Sequence, residues 1–331
     1  MRHPPDLPDG TIVTALRGGF GVEAATLAHL PVGNDADSWS YRVETADGPA
    51  WFLKVRAGAS PGRGAAVPAY LHRRGVPNVL APLAAATGAS SVTVGRFALA
   101  LYPLLEARPG AEAGLSPAQW RELGATLRQV HAVPPAPELT RLVGREAFRP
   151  SRRELLPALE AALAAAGPGD PVAFELARFW RDRRDGIAAL VDRADRLGRR
   201  LAGERFPPVL CHADLHTWNV LVGADGRLWI ADWDEAVLAP RERDLFFVVG
   251  GIGHGLVGPS DTAAFFEGYG QTDVDPRLLA YYRCAWAVQD LAAYGEQVLL
   301  VPGLPEAARR AELAGFKDLF APGNIADYAA R

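Results

Sequence analysis

Through the first hundred residues the hydrophobic positions fall in short runs and alternations, which predicts mostly strands. Thr26 to Leu30 is a short apolar run, followed by the turn formers Pro31-Val32-Gly33-Asn34-Asp35-Ala36-Asp37-Ser38. Trp39 to Thr45 and Ala50 to Val55 read as two strands joined by Ala46-Asp47-Gly48-Pro49, a hairpin signal. Val67 to Arg74 reads as a short helix stopped by Gly75. Ser91 to Val94 and Phe97 to Tyr102 read as two further strands. The expected first portion is a small antiparallel sheet carrying one helix.

Pro103 to Gly114 breaks this pattern and reads as a hinge or linker. Beyond it the hydrophobic period lengthens to that of helices. Ser116-Pro117-Ala118-Gln119 combines an N-cap serine, proline at the first helical position and glutamine three residues after the cap. Trp120, Leu123, Leu127 and Val130 then form an apolar stripe. Pro134 to Pro150 reads as a proline-rich loop, and 151–166, 171–202 and most of 261–316 as helix. One stretch, 208–234, interrupts the helices. The expected fold class is α+β and bilobal: a small lobe over 1–102, a linker over 103–114 and a larger, mainly helical lobe over 115–331.

Composition narrows the class. The chain has 331 residues, 49% of them hydrophobic, which is enough for a substantial core and argues against disorder. A net charge of -3 carries no nucleic-acid footprint. Cys211 and Cys284 cannot build a disulfide framework, which suits a reducing cytoplasm. No apolar targeting segment follows Met1, and no long uncharged apolar window offers a membrane span. The expectation is a cytoplasmic protein with a small-molecule partner, without nucleic acid or membrane. Of 35 basic residues only Lys54 and Lys317 are lysines, so each of them invites a reason.

The interruption carries the candidate chemistry. It reads Cys211-His212-Ala213-Asp214-Leu215-His216-Thr217-Trp218-Asn219, a strand Val220 to Val222, an Asp225-Gly226 turn, a strand Leu228 to Ile230, and Asp232-Trp233-Asp234. A hairpin brings its outer ends together, so Asp214, Asn219 and Asp232 should converge. One carboxylate can orient a hydroxyl and take its proton, while the other and the amide oxygen can hold Mg²⁺. Lys54, on the third expected strand, is placed to reach a phosphate as a point charge. The spacing His212, Asp214, Asn219 and then Asp232 resembles the catalytic loop and metal-binding aspartate of protein kinase-like folds.

With Ala239-Pro240-Arg241-Glu242-Arg243-Asp244-Leu245, Gly268-Tyr269-Gly270, Tyr281-Tyr282-Arg283 and Leu101-Tyr102-Pro103, the chain resembles the aminoglycoside phosphotransferase family, and within it the spectinomycin branch. The likeness runs from about Leu30 to Leu300. It implies ATP or GTP with Mg²⁺, and O-phosphorylation of an aminocyclitol or aminoglycoside, spectinomycin first, as a resistance kinase. It implies Lys54 on the α- and β-phosphates, backbone around Asn34, Asp35 and Ser38 over the phosphates, and backbone of Leu101, Tyr102 and Leu104 on the adenine edge. Asp214 would be the catalytic base, Asn219 and Asp232 the metal ligands, and His212 and Asp244 structural braces. Kinases of choline, homoserine or a ketosamine, and a catalytically weak nucleotide-binding protein, are the alternatives.

Departures from the protein-kinase pattern are informative. Ala213 stands where protein kinases carry arginine, and no Ala-Pro-Glu follows, so a protein substrate is not expected. Between Asp47 and Glu106 there is no acidic residue, so the helix glutamate that pairs with the strand lysine in protein kinases cannot come from 55–105. Lys54 then meets only phosphate and Asp232, or a distant acid such as Glu44 or Asp35. That stretch carries six basic residues, whereas Phe206 to Glu296 carries thirteen acidic residues against five arginines. Such a contrast fits a site where a polyanion meets a cation, and equally fits ordinary surface scatter. Tyr282, Trp286, Asp290 and Tyr294 share a helix face and read either as acceptor pocket or as core. Asp234 and Glu296 are further possible partners for acceptor amines. His212-Ala213-Asp214-Leu215-His216 also admits a metallohydrolase reading.

Overall fold

The structure, a computed structural model, describes residues 4–30, 37–58, 62–253 and 255–330. In chain order the elements begin with helix α1 (Asp9–Phe20) and strands β1 (Thr26–Leu30), β2 (Ser38–Glu44) and β3 (Trp51–Ala57). Helix α2 (Gly62–Arg73) precedes β4 (Val92–Val94), β5 (Phe97–Pro103) and β6 (Ala107–Pro109). Helices α3 (Gly110–Ala113), α4 (Pro117–Ala132), α5 (Pro137–Val143), α6 (Leu156–Ala165), α7 (Pro171–Asp182) and α8 (Arg184–Ala202) follow. Then come β7 (Val209–Cys211), β8 (Val220–Gly223), β9 (Leu228–Ile230) and β10 (Val237–Ala239). The chain ends in α9 (Glu242–Leu245), α10 (Pro259–Tyr269), α11 (Pro276–Leu299), α12 (Glu306–Asp318) and α13 (Ile325–Ala330).

By contact the chain forms two compact units. One comprises Met1–Gly144, Val209–Leu238 and Ala264–Gly270; the other comprises Arg145–Pro208, Ala239–Ala263 and Gln271–Arg331. In the first, β1-β2-β3-β5-β4 make an antiparallel five-stranded sheet, so the expected strands and their antiparallel pairing hold. Period-two burial on β3 puts Leu53 and Val55 in the core with Tyr41, Val43, Leu99 and Leu101. Lys54 and Arg56 therefore lie together on the opposite face of β3.

Helix α1 was not expected. Its glycines, Gly10, Gly18 and Gly19, lower its intrinsic propensity, but Ile12 and Leu16, one turn apart and fully buried, join the sheet core and stabilise it from outside. The 103–114 segment, expected as linker, contains β6 and α3, because β6 pairs with β8 (Arg108 opposite Val222). Helix α5 forms inside the expected loop 134–150; Pro137 sits in its first turn, where a missing N–H costs nothing. The predicted capping box of α4 is present: the Gln119 N–H donates to Ser116 Oγ, and the Ser116 N–H donates to Gln119 Oε1 at 2.8 Å. Gly124 of α4 meets the Phe265 carbonyl, where a Cβ would stand 2.1 Å from that oxygen.

The second unit is helical, built around α11 with α6, α8, α12 and α13 against it. Tyr281, Tyr282, Trp286, Val288 and Leu291 of α11 are buried there. Among the described residues no helix is long and apolar enough to cross a membrane.

Candidate active site

The hairpin β8–β9 pairs Val220 with Ile230, so the residues just outside it face each other. The Ala231 N–H donates to the Asn219 carbonyl at 2.9 Å, which closes the mouth. His212 ties the preceding loop to the same point. Its Nε2 lies 2.8 Å from the Ala231 carbonyl, and its Nδ1 accepts from the Asp214 N–H at 3.2 Å. That pair of contacts defines an imidazole protonated on Nε2. His212 is fully buried, with the Trp233 ring centroid 4.5 Å away. It is the loop brace the sequence suggested. The metallohydrolase reading loses its basis, because both ring nitrogens of His212 face backbone and His216 Nε2 faces Asp214 at 3.2 Å.

Two non-glycine residues take left-handed backbone here, Ala213 (φ 68°) and Asp232 (φ 60°). Both sit at the turn into an acidic side chain, where a sparsely populated conformation is held by the surrounding hydrogen bonds. The Asp214 carboxylate accepts from Asn219 Nδ2 at 2.8 Å through Oδ2, with His216 beside Oδ1. Asn219 Nδ2 also donates to the Asp214 carbonyl at 2.8 Å. With its amide nitrogen so committed, Asn219 offers its Oδ1 as the donor atom for a cation. Asp232 is 52% exposed, and its Oδ1 lies 3.9 Å from Lys54 Nζ. Half-exposed though the side chain is, the protein atoms packed around its carboxyl still desolvate it and push its pKa up, the Asp234 and Asp214 charges add to this, and Lys54 opposes it. A cation here would meet only oxygen donors, a hard set that fits Mg²⁺.

Lys54 settles the question left by the missing helix glutamate. Its Nζ donates to Asp234 Oδ2 at 2.6 Å. Asp234 Oδ1 in turn accepts from Arg56 Nη1 at 2.8 Å and from the Gly64 N–H at 3.2 Å. Burial works against the Lys54 charge, but Asp232 and Asp234 outweigh it and its pKa rises. Burial likewise works against the Asp234 charge; Lys54 and Arg56 prevail and hold the carboxyl below its usual range. Glu44 is engaged elsewhere, with Arg42 and Thr26. Asp234, expected toward an acceptor amine, turns instead to these cations. Arg63 Nη1 donates to the Ala236 carbonyl at 3.1 Å, and the Tyr102 hydroxyl to the Gly64 carbonyl at 3.1 Å, so the start of α2 is tied to both neighbours.

Arg56 and Gly64 were missed by the sequence reading. Arg56 was within reach of it, as the residue sharing a strand face with Lys54; nothing local singles out Gly64. Of the other expected nucleotide residues, Asn34 and Asp35 lie outside the described residues. Ser38 is buried at the start of β2, opposite Arg56. Leu101 is buried in β5, where its carbonyl accepts from the Leu83 N–H at 2.6 Å, and the Leu104 N–H donates to the Ala50 carbonyl at 3.2 Å. In the other unit, Asp244 of α9 is fully buried. Trp286 is a core residue, packed on Phe247 (centroids 4.9 Å) and Phe246 (5.9 Å), because its face of α11 is turned inward. Tyr282 packs on Phe246 and Phe148. Asp290 and Tyr294 are half-buried, the Tyr294 ring resting on Gly315 of α12, and Glu296 is ion-paired with Arg152.

Comparison with known proteins agrees with this geometry. The model of the phosphotransferase enzyme family, APH, matches residues 29–295. The chain is 33% identical over 285 residues to Protein StrN of Streptomyces griseus, covering 82% of this chain and 79% of that protein. Among solved structures, spectinomycin phosphotransferase APH(9)-Ia in complex with ADP and spectinomycin superposes with a TM-score of 0.87, at 28% identity over 98% of both chains. The fold is also shared with amicoumacin kinase hAmiN in complex with AMP-PNP, Ca²⁺ and Ami, at a TM-score of 0.63 and 16% identity over 96% of this chain and 94% of that one.

Proposed function

The chain belongs to the phosphotransferase enzyme family, and from that premise we propose that it transfers the ATP γ-phosphoryl group to a hydroxyl of a cationic aminocyclitol, spectinomycin being the first acceptor to test. The convergence of Asp214, Asn219 and Asp232 at one hairpin mouth, with Lys54 beside them, carries the reading. The 28% identity to a spectinomycin phosphotransferase over the full chain supports the acceptor class.

In this reading Asp214 positions the acceptor hydroxyl and takes its proton, its carboxylate aimed by Asn219 and His216. Lys54 contacts the α- and β-phosphates. Backbone at Ser38 covers the phosphates, and the Leu101–Leu104 segment, with Tyr102, meets the adenine. Asn219 Oδ1 and the Asp232 carboxylate would hold Mg²⁺, which would supply neutralisation of developing phosphate charge. The small lobe spans 1–102, the linker 103–114 and the large lobe 115–331. The enzyme works in the cytoplasm as a resistance kinase.

An acceptor panel tests this. The protein is incubated with Mg-ATP or Mg-GTP and spectinomycin, choline, homoserine or a ketosamine, and products are read by mass spectrometry. A phosphorylated spectinomycin is expected. Product on choline, homoserine or the ketosamine alone overturns the acceptor, and nucleotide binding without any product overturns the transferase reading.

A further inference from the structure

We propose that Asp234 is the positioning acid for Lys54, in place of a glutamate on α2, and that Arg56 and Gly64 hold it in that role. The inference rests on the reading of Lys54 as the phosphate-contacting group.

An ammonium on a four-carbon stem is a flexible point charge and needs a fixed anion to aim it. Two carboxylates are near. Asp234 makes a direct hydrogen bond at 2.6 Å, whereas Asp232 stands off at 3.9 Å. Asp234 is itself fixed. Lys54 and Arg56, two residues apart on β3, bind its two oxygens, and the Gly64 N–H in the first turn of α2 meets Oδ1. Donors on both oxygens, from a strand and a helix, leave the carboxylate no free rotation. Such an arrangement divides the labour within Asp232-Trp233-Asp234. The exposed first carboxylate is available to a cation, and the second is occupied by cationic side chains.

Arg56 has a further consequence. When Lys54 turns toward a phosphate, Asp234 keeps a guanidinium and a backbone N–H, so no uncompensated charge is stranded in a three-quarters-buried position. Gly64 supplies room rather than backbone freedom. A Cβ there would lie 2.4 Å from Asp234 Oδ1 and 2.7 Å from its Cγ, so any side chain displaces the carboxylate. The acid-free stretch from 48 to 105 is thus consistent with an intact lysine pair, since the acid arrives from the other side of the contact.

The two-lysine composition gives a direct test. Purified wild type and D234N are treated with an amine-acylating reagent, and modification of Lys54 is read by peptide mass spectrometry with Lys317 as internal reference. D234N is expected to raise the Lys54 rate relative to Lys317 at least about fivefold, as for loss of an opposite charge in contact; an unchanged ratio overturns the pairing. R56Q and G64A are expected to raise it by smaller factors, and R56K less than R56Q. These variants decide the question if D234N does not fold.

A second arm measures ADP affinity of K54M, D234N and K54M/D234N, with Mg²⁺ and with EDTA. Each single variant is expected to lose about tenfold in both conditions, and the double variant no more than the larger single loss. Additive losses overturn the proposal, as does a D234N loss seen only with Mg²⁺, which would make Asp234 a metal ligand. A wild type that binds no nucleotide overturns the functional reading above and the phosphate-positioning role with it. The acylation arm would then still report whether the ion pair exists.

Discussion

The mouth of the β8–β9 hairpin and the buried face of α11 both show regular spacing of residues that could do chemistry. They end differently. At the hairpin, Asp214, Asn219 and Asp232 come together with donors and acceptors arranged around them. On α11, Tyr282 and Trp286 disappear into an aromatic cluster with Phe246 and Phe247. Gathering like charges is costly, so carboxylates brought together at one turn need a reason beyond packing. Aromatic side chains four residues apart need none, because burial alone stabilises them.

The contrast can be broken by substitution. The largest effect is expected for Asp214→Asn, with kcat on the best acceptor down about 10³-fold and the thermal midpoint nearly unchanged, measured by steady-state kinetics and calorimetry. Trp286→Ala is expected to do the reverse. It removes about 3–5 kcal/mol of stability in a denaturant titration, with nucleotide affinity of the folded fraction retained. A large rise in acceptor KM without loss of stability would return Trp286 to the acceptor side. His212→Ala strands the Ala231 carbonyl and the Asp214 N–H. It should cost about 1–3 kcal/mol and also lower kcat, which joins the two halves of the comparison in one residue.

Smaller effects calibrate the scaffold. Ser116→Ala removes one side of the α4 capping box and should cost about 1 kcal/mol by chemical denaturation. Asp170 caps α7 and pairs with Arg309, and that hydrogen bond, with the cap, holds its carboxyl below the usual range. A depressed folded pKa gives stability that is present above the unfolded pKa and lost as pH falls through the folded one. Asp170→Asn should therefore flatten the acid limb of the stability curve below about pH 4, by less than about 1 kcal/mol because the Asp170 carboxylate is 43% exposed to solvent. An acid limb identical to wild type would show the pair to be inert.

How much was legible follows from where each signal resides. The five strands of the first sheet, the α4 cap and the hairpin rest on neighbours in sequence, and each was readable. Helix α1 was not, because its glycines hide a helix that Ile12 and Leu16 secure only by reaching the sheet core. The helix α5 was masked by prolines whose place in the first turn is known only once the turn exists. The strand β6 exists through pairing with β8, more than a hundred residues away. In the site, Asp214, Asn219, Asp232 and Lys54 were found from local spacing and from the rarity of lysine. Trp286 was ambiguous because a period of four describes a core and a pocket equally.

Sequence alone determined which residues hold the candidate chemistry, since a loop-strand-turn-strand unit carries its geometry within about twenty residues. Tertiary structure alone decided what Lys54 touches. Its partner Asp234 lies 180 residues away and is reached through the register of β3 and the first turn of α2. No local pattern encodes such a contact; it exists because both ends are fixed by packing that each element obtains from the rest of its unit.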